Sequence, residues 1–176
     1  AWILQNNLKG ENMRIVIKLK DGRKMNATLD ENAAPITVQN FVKLIDEKFF
    51  DGLIFHRVIP GFMIQGGGMD GAMKEKRAKS IKGEFASNGI KNPISHVPGV
   101  LSMARTQVKD SASSQFFICV ADCTFLDGDY AAFGRLDDEE SLKVAIDMSK
   151  VKTGSYGWFD DVPKEPLVID TIEKVN

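Results

Sequence analysis

Helical periodicity is confined to two stretches of this chain, residues 35–48 and 138–149, and that limits the fold more than any other feature. In the first, PITVQNFVKLIDEK, the apolar residues Val38, Phe41, Val42 and Ile45 recur at helical spacing, and Thr37 is read as the N-cap. In the second, Leu142 and Ile146 are expected to face inward, behind acidic residues in the first turn. Nearly all other apolar residues sit in short strand-like runs. RIVIKL (14–19) alternates, and KDGRK with its Asp-Gly turn joins it to MNATL, which predicts a β-hairpin. Further strands are predicted at 53–59, 62–65, 99–104, 115–120, 130–136 and 167–175. Residues 66–96 read as mostly loop, and 153–166 as a loop bearing Gly and Pro. Many short strands with two distant helices argue for a barrel or sandwich whose ends the helices close, and a barrel is preferred because it removes sheet edges.

The chain has 176 residues, 43% of them hydrophobic, enough for one domain with a substantial core and short for two. Residues 13–176 are read as that domain, and residues 1–12, AWILQNNLKGEN, as an N-terminal extension ahead of a native start at Met13. That segment lacks the basic start and long apolar run of a secretory signal, and no run approaches the ~20 apolar residues that span a bilayer. A cytoplasmic protein is expected. With a net charge of −1, no strong field is available to recruit nucleic acid or an anionic membrane. Two cysteines, Cys119 and Cys123, make no disulfide framework, and two histidines leave a zinc site short of ligands, so no metal is expected.

One stretch raises a chemical question. FHRVIPGFMIQGGG (55–68) places His56, Arg57 and Gln65 on strands that otherwise read as core. Strict alternation puts Leu53, Phe55, Arg57 and Ile59 on one face, and Ile54, His56 and Val58 on the other. In the next strand Met63 and Gln65 share a face. In QFFICV, Gln115, Phe117 and Cys119 share one face, and Phe116, Ile118 and Val120 the opposite, core-directed one. An outward Phe117 beside Gln115 is unusual. The alternative is structural: Arg57 paired to a carboxylate, glutamines satisfying backbone groups, and Cys119 a small buried hydrophobe. SASSQ (111–115) lacks a nucleophile elbow, and Gly66-Gly67-Gly68 lacks the Lys-Ser/Thr of a phosphate loop. KEKRAKSIK (74–82) holds five basic residues and reads as a solvated loop, with contact to an acidic partner as the alternative.

In order and spacing, FHRVIPGFMIQGG, IKGEFASNG, GVLSMART, SSQFFICVAD, FLDG and AAFG resemble the motif set of the cyclophilin-type peptidyl-prolyl cis-trans isomerases, from about Arg14 to Asn176. MART, GGGMDGAMKEK and DVPKEP resemble the bacterial cytosolic branch. The resemblance implies a closed eight-stranded antiparallel barrel capped by two helices. It implies an active groove on the barrel's outer surface and a role in assisting protein folding. It also implies Xaa-Pro bonds in unfolded or exposed segments as substrate. Rotation about a bond requires no cofactor, and a monomer is the simplest reading. Carried over by position, Arg57 matches the catalytic arginine. Phe62, Met63, Phe117 and Leu126 match the pocket for the proline ring. Gln65 matches the side chain that bonds the substrate carbonyl region. Ala104, Arg105 and Gln115 match the groove for residues before proline, Tyr130 replaces a common histidine, and His56 is supporting. Phe125 stands where many members carry tryptophan, which implies weak cyclosporin binding. The charged stretch 71–79 replaces a glycine-rich loop.

Overall fold

The structure is a computed structural model that describes residues 12–175. Except for Asn12, the expected extension over residues 1–12 lies outside the described residues. Eight strands form one curled antiparallel sheet: β1 (Asn12–Leu19), β2 (Lys24–Asp30), β4 (Arg57–Ile59), β5 (Met63–Gly66), β7 (Val100–Met103), β8 (Phe116–Cys119), β9 (Ala132–Leu136) and β12 (Ile169–Val175). Their spatial order is β12-β1-β2-β9-β7-β8-β5-β4. β3 (Leu53–Ile54) and β6 (Met69–Asp70) form a separate pair. So do β10 (Thr153–Tyr156) and β11 (Phe159–Pro163), where the sequence suggested only a loop.

The ladder does not close on itself: β12 and β4 are its two edges. What joins the edges is a short seam. Ile54 bridges Val168, Phe55 N–H donates to the Leu167 carbonyl at 3.0 Å, and Gly52 N–H donates to the Ile169 carbonyl at 2.9 Å. The single strand expected over 53–59 is therefore two pieces, and alternation restarts between them. Phe55 is fully buried with Val58 in the main core, whereas Arg57 is exposed. Shared parity had put Phe55 and Arg57 on one face. The break at Phe55–His56 separates them.

The interior is an aromatic cluster. Phe41 of α1 (Pro35–Asp46) packs its ring 4.9 Å from Phe50, 5.3 Å from Phe116 and 5.0 Å from Phe133, and Phe55 lies 5.7 Å from Phe116. The sheet curls around this set, with α1 over one opening and α2 (Glu139–Ser149) over the other side. Asp138 caps α2 by accepting from Ser141 N–H at 2.7 Å. Ser141, Ala145 and Met148 are its buried line, and Leu142 and Ile146, expected to be innermost, are half-buried flanks.

Thr37 is not the N-cap of α1. The helix starts one turn earlier than that reading requires, with Pro35 in its first turn, and Ala34 at the cap makes no side-chain bond. The cap comes from elsewhere in the chain. Glu84, nearly fully buried, accepts from Thr37 N–H at 2.7 Å, Thr37 Oγ1 at 2.8 Å and Ile36 N–H at 3.2 Å. A carboxylate at the positive end of a helix is favoured by the dipole and satisfies free N–H groups. Removing it leaves buried donors without partners. Glu84→Ala should lower stability by about 2–4 kcal/mol in urea unfolding, more than an ordinary surface cap does.

Candidate active site

The outer face of the sheet carries a row that register alone produces. β4 pairs with β5 so that Arg57 stands opposite Gln65, and β5 pairs with β8 so that Gln65 stands opposite Phe117. The residues between them, Val58, Ile64, Phe116 and Ile118, enter the core. Arg57 Nη1 donates to Gln65 Oε1 at 3.4 Å, and Gln65 Nε2 donates to Gln115 Oε1 at 3.0 Å. Gly68 makes this row possible: a Cβ there would lie 2.3 Å from Gln115 Cγ. Gly66 lets β5 run close against β3, where a Cβ would meet the Ile54 carbonyl at 2.7 Å. The glycine run thus serves close packing.

Beside the row lies a hollow of about 170 Å³, walled by Arg57, Phe62, Met63, Gln65, Ala104, Arg105, Phe117, Leu126 and Tyr130. The turn after β4 brings Phe62 beside Met63. Gly61 has φ 75°, Phe62 N–H bonds the Ile59 carbonyl at 3.1 Å, and the Phe62 carbonyl accepts from Val120 at 2.9 Å. Tyr130 packs edge-on against Phe117, with ring centres 5.8 Å apart. A second hollow of about 180 Å³ adjoins the first through Gln65, Ala104 and Arg105, and is otherwise lined by Glu75, Thr106, Ser111, Ser113 and Gln115. Ala104 N–H is tied to the Gln115 carbonyl at 3.0 Å.

Two arginines border the first hollow in opposite states. Arg105 donates through Nε and Nη2 to the Asp129 carbonyl at 2.9 and 2.7 Å, and through Nη1 to the Thr106 carbonyl at 2.9 Å. Its guanidinium lies 4.8 Å from both the Phe85 and Tyr130 rings. Arg57 has no carboxylate partner among the described residues and keeps donors free for a ligand. The structural alternative for Arg57 required such a partner.

Nine of the twelve residues singled out from sequence line the first hollow, and Gln115 lines the second. Phe125 is not on either wall. It stands 70% exposed on the turn Thr124–Leu126, its ring 5.8 Å from Phe62. His56 points away from the hollow, buried edge-on against Phe159 at 6.1 Å.

Sequence reading missed the support behind Phe117. His96 stacks on that ring at 17° and 6.0 Å. Its Nδ1 lies 2.8 Å from Asp127 Oδ1 and its Nε2 2.8 Å from Ser102 Oγ. The carboxylate accepts only, so Nδ1–H donates to it, and Nε2 is hydrogen-bonded to the Ser102 hydroxyl. Asp127 also accepts from Ser95 Oγ at 2.6 Å and His96 N–H at 2.7 Å. Burial works to raise the Asp127 pKa, but these bonds prevail and hold it below the usual carboxylate range. The connectivity is that of a Ser-His-Asp hydrolase, yet Ser102 is fully buried and no substrate reaches its hydroxyl. The three residues brace Phe117 and the turn that carries Leu126. Nothing local in the sequence signals this, since the partners lie up to 31 residues apart.

Cys119 and Cys123 are free and fully buried. Burial first, then each other's proximity, keeps the Cys119 thiol protonated far above its ordinary pKa. It is the small buried hydrophobe of the structural reading, packed with Met63 and Phe117 in a second apolar cluster on the sheet face opposite the main core.

Burial, reinforced by the Arg57 charge, lowers the His56 pKa from 6.5 to about 4, and Nδ1 has no partner among the described residues. The unfolded chain therefore binds the proton more readily. The stability that this contributes is complete above about pH 6.5 and is lost as pH falls towards 4, by up to about 3 kcal/mol. Unfolding measured across that window should show the decline in the wild type, and a much flatter profile in His56→Leu.

The family model described as cyclophilin type peptidyl-prolyl cis-trans isomerase/CLD matches residues 14–174. The chain is 44% identical over 151 residues to peptidyl-prolyl cis-trans isomerase B of Escherichia coli strain K12, covering 81% of this chain and 88% of that protein. It is 45% identical over 148 residues to peptidyl-prolyl cis-trans isomerase A of Dickeya dadantii, covering 81% and 75%. In structure it is similar to a cyclophilin type peptidyl-prolyl cis-trans isomerase of Cryptosporidium parvum, with a TM-score of 0.78 at 24% identity, covering 94% and 98%. That last likeness speaks for the fold. A family model spanning most of the chain, together with bacterial relatives above 40% identity, decides the matter: this chain belongs to the cyclophilin-type peptidyl-prolyl cis-trans isomerase family.

Proposed function

We propose that this protein accelerates cis-trans rotation about Xaa-Pro peptide bonds, and that Arg57 stabilises the twisted amide while the apolar hollow holds the proline ring. The observation that carries the reading is the free guanidinium of Arg57 at the edge of a hollow walled by Phe62, Met63, Phe117 and Leu126. In an amide the nitrogen lone pair is delocalised, which gives a rotational barrier of ~18–20 kcal/mol. At proline the two isomers are close in energy but exchange over tens to hundreds of seconds. Twisting the bond localises the lone pair on the prolyl nitrogen. A donor aimed there binds the twisted state better than the planar one, and that difference is the catalysis. Arg57 is always protonated, and strand pairing and Gln65 fix its planar fork. Gln65 bonds the swinging carbonyl region. Ala104, Arg105 and Gln115 border the hollow that takes the residues before proline, with Glu75 of the charged stretch at its rim. No nucleophile, metal or cofactor has a part.

On this reading residues 13–176 act as one isomerase domain in the cytoplasm, a monomer that assists folding of proline-containing chains. A basic-loop adaptor is not favoured. Lys76 donates to the Phe49 carbonyl at 2.8 Å and lies over the Phe49 ring, and Arg77 pairs with Glu75. The loop's charges are thus partly used within the fold.

Exchange of a short Xaa-Pro peptide, followed by NMR, is the test. Wild type should speed exchange, and Arg57→Ala should lose about a hundredfold or more while still binding the peptide. Binding without acceleration in the wild type would make the groove a recognition site. Phe125 offers no indole N–H, so cyclosporin should bind weakly. Phe125→Trp should tighten it by about tenfold in calorimetry with isomerisation little changed, because the ring stands outside the hollow.

A further inference from the structure

Most hydrogen-bond donors around the second hollow are already used. Thr106 Oγ1 donates to Ser111 Oγ at 2.8 Å, and Ser111 Oγ donates onward to the Val108 carbonyl at 2.6 Å. Arg105, which borders both hollows, turns all three of its nitrogens to carbonyls of its own chain. What remains, the Gln115 amide nitrogen and the Ser113 hydroxyl, carries no charge. The same hollow holds Glu75, the one carboxylate on the walls of either hollow among the described residues.

The backbone sets Glu75 there. Met69 bridges it, Lys76 N–H donates to the Gly68 carbonyl at 2.8 Å, and Asp70 N–H donates to the Lys74 carbonyl at 3.0 Å. The turn between has Met73 at φ 61°, and Asp70 Oδ1 closes it by accepting from Ala72 and Lys74 N–H at 2.9 and 3.0 Å. Residues 74–76 are thus pinned along 68–70, beside the Gly68 that makes room for Gln115. The carboxylate itself is open. Glu84 and Asp127 each accept three bonds inside the fold, whereas Glu75 has one ionic partner, Arg77, with Nε 3.1 Å from Oε1. The Glu75 side chain is 44% exposed and that of Arg77 86%. So exposed a pair is weak, and an incoming cation can replace it.

We infer that Glu75 makes the second hollow a subsite for a cationic side chain, so that the protein prefers proline segments with a lysine or arginine two or three residues before the proline. The inference rests on the reading of the first hollow as the proline site. An extended peptide advances ~3.3 Å per residue, and the two hollows share Gln65, Ala104 and Arg105, so those positions reach the second hollow. An ammonium or guanidinium only donates, which matches a wall whose donors are mostly used and whose carboxylate is open. Its apolar stem lies along the hollow while the charged head stays at the wet rim. A peptide carboxylate in the same place meets Glu75 as a like charge.

The test uses the full chain and short peptides that differ at one position, two or three residues before the same proline, where lysine, glutamine or glutamate stands. A control set carries the same change after the proline. Exchange rates by NMR and affinities by calorimetry are read as ratios between peptides on one protein, so a general loss of activity or folded protein cancels. Wild type should favour lysine over glutamine at one of the two positions by about two- to fivefold, disfavour glutamate, and lose the preference at high salt. Glu75→Gln should bring the lysine-to-glutamine ratio to about one, and Glu75→Lys should turn the preference towards glutamate. Equal ratios in wild type at both positions, or a lysine preference that survives in Glu75→Gln, overturn the inference. So does the same preference when the charge follows the proline, which would be attraction without a subsite. A wild type that favours glutamate overturns it too, and assigns the selection to Arg105. Binding of every peptide without faster exchange would instead sink the isomerase reading, and the affinity ratios then decide the role of Glu75 independently.

Discussion

A single break in one strand governs the site. Between Leu53 and Ile59 every residue but His56 and Arg57 is apolar, and a continuous strand would have put Phe55 and Arg57 on the same face. The structure divides the run between two partners. Ile54 and Phe55 turn to the segment before β12 and close the seam, and Arg57 to Ile59 pair with β5. The two halves then differ in facing, so Phe55 completes the phenylalanine core while Arg57 joins Gln65 and Phe117 outside. Gly66 lets β5 lie against the break without collision. Fold and site thus depend on the same point. The core cannot keep Phe55 unless the chain changes phase, and the change of phase is what presents the guanidinium.

Arg105 and Arg57 show how one residue type serves two ends. Arg105 spends its donors on carbonyls of its own chain and sits between two rings, as a structural clamp between the two hollows. Arg57 is positioned by pairing and by one long bond to Gln65, with its charge otherwise open. A charge without an anionic partner is a poor way to stabilise a fold, and a good way to meet charge that develops on a ligand.

The outer row was legible in the sequence because strand alternation is local: Gln115 and Phe117 on one face, Phe116 and Ile118 on the other, follows from parity within a few residues. The motif string added the residues that turns deliver, Phe62 and Leu126 among them. What parity could not show was the break at Phe55–His56, since nothing in the run itself marks a change of pairing partner. The cap of α1 was misplaced for a similar reason. Thr37 has the right side chain, but the acceptor that satisfies the helix is Glu84, 47 residues on, and a distant carboxylate leaves no local trace. The hairpin at 153–163 was hidden by its Gly and Pro content and by its slipped pairing, which blurs alternation. His96, Ser102 and Asp127 belong to the same class, polar residues that gain meaning only when two loops and a strand converge.

That convergence bears on how the groove can work. If rotation is catalysed by holding the ring while the carbonyl swings, the wall under the ring has to stay still. Phe117 is the centre of that wall, and it is packed on both sides, by Tyr130 edge-on and by His96 face-on. His96 is in turn fixed at both nitrogens, to Asp127 on the turn that carries Leu126 and to Ser102 on β7. One buried imidazole therefore ties the floor of the hollow to its far wall. On the Arg57 side the task is reversed. His56 is held neutral and packed on Phe159, so the strand that carries the guanidinium is backed by an apolar contact with no charge to compete for its partner. Neither histidine lines the hollows. Each stiffens one side of a groove whose proposed action is to bind a twisted bond better than a flat one.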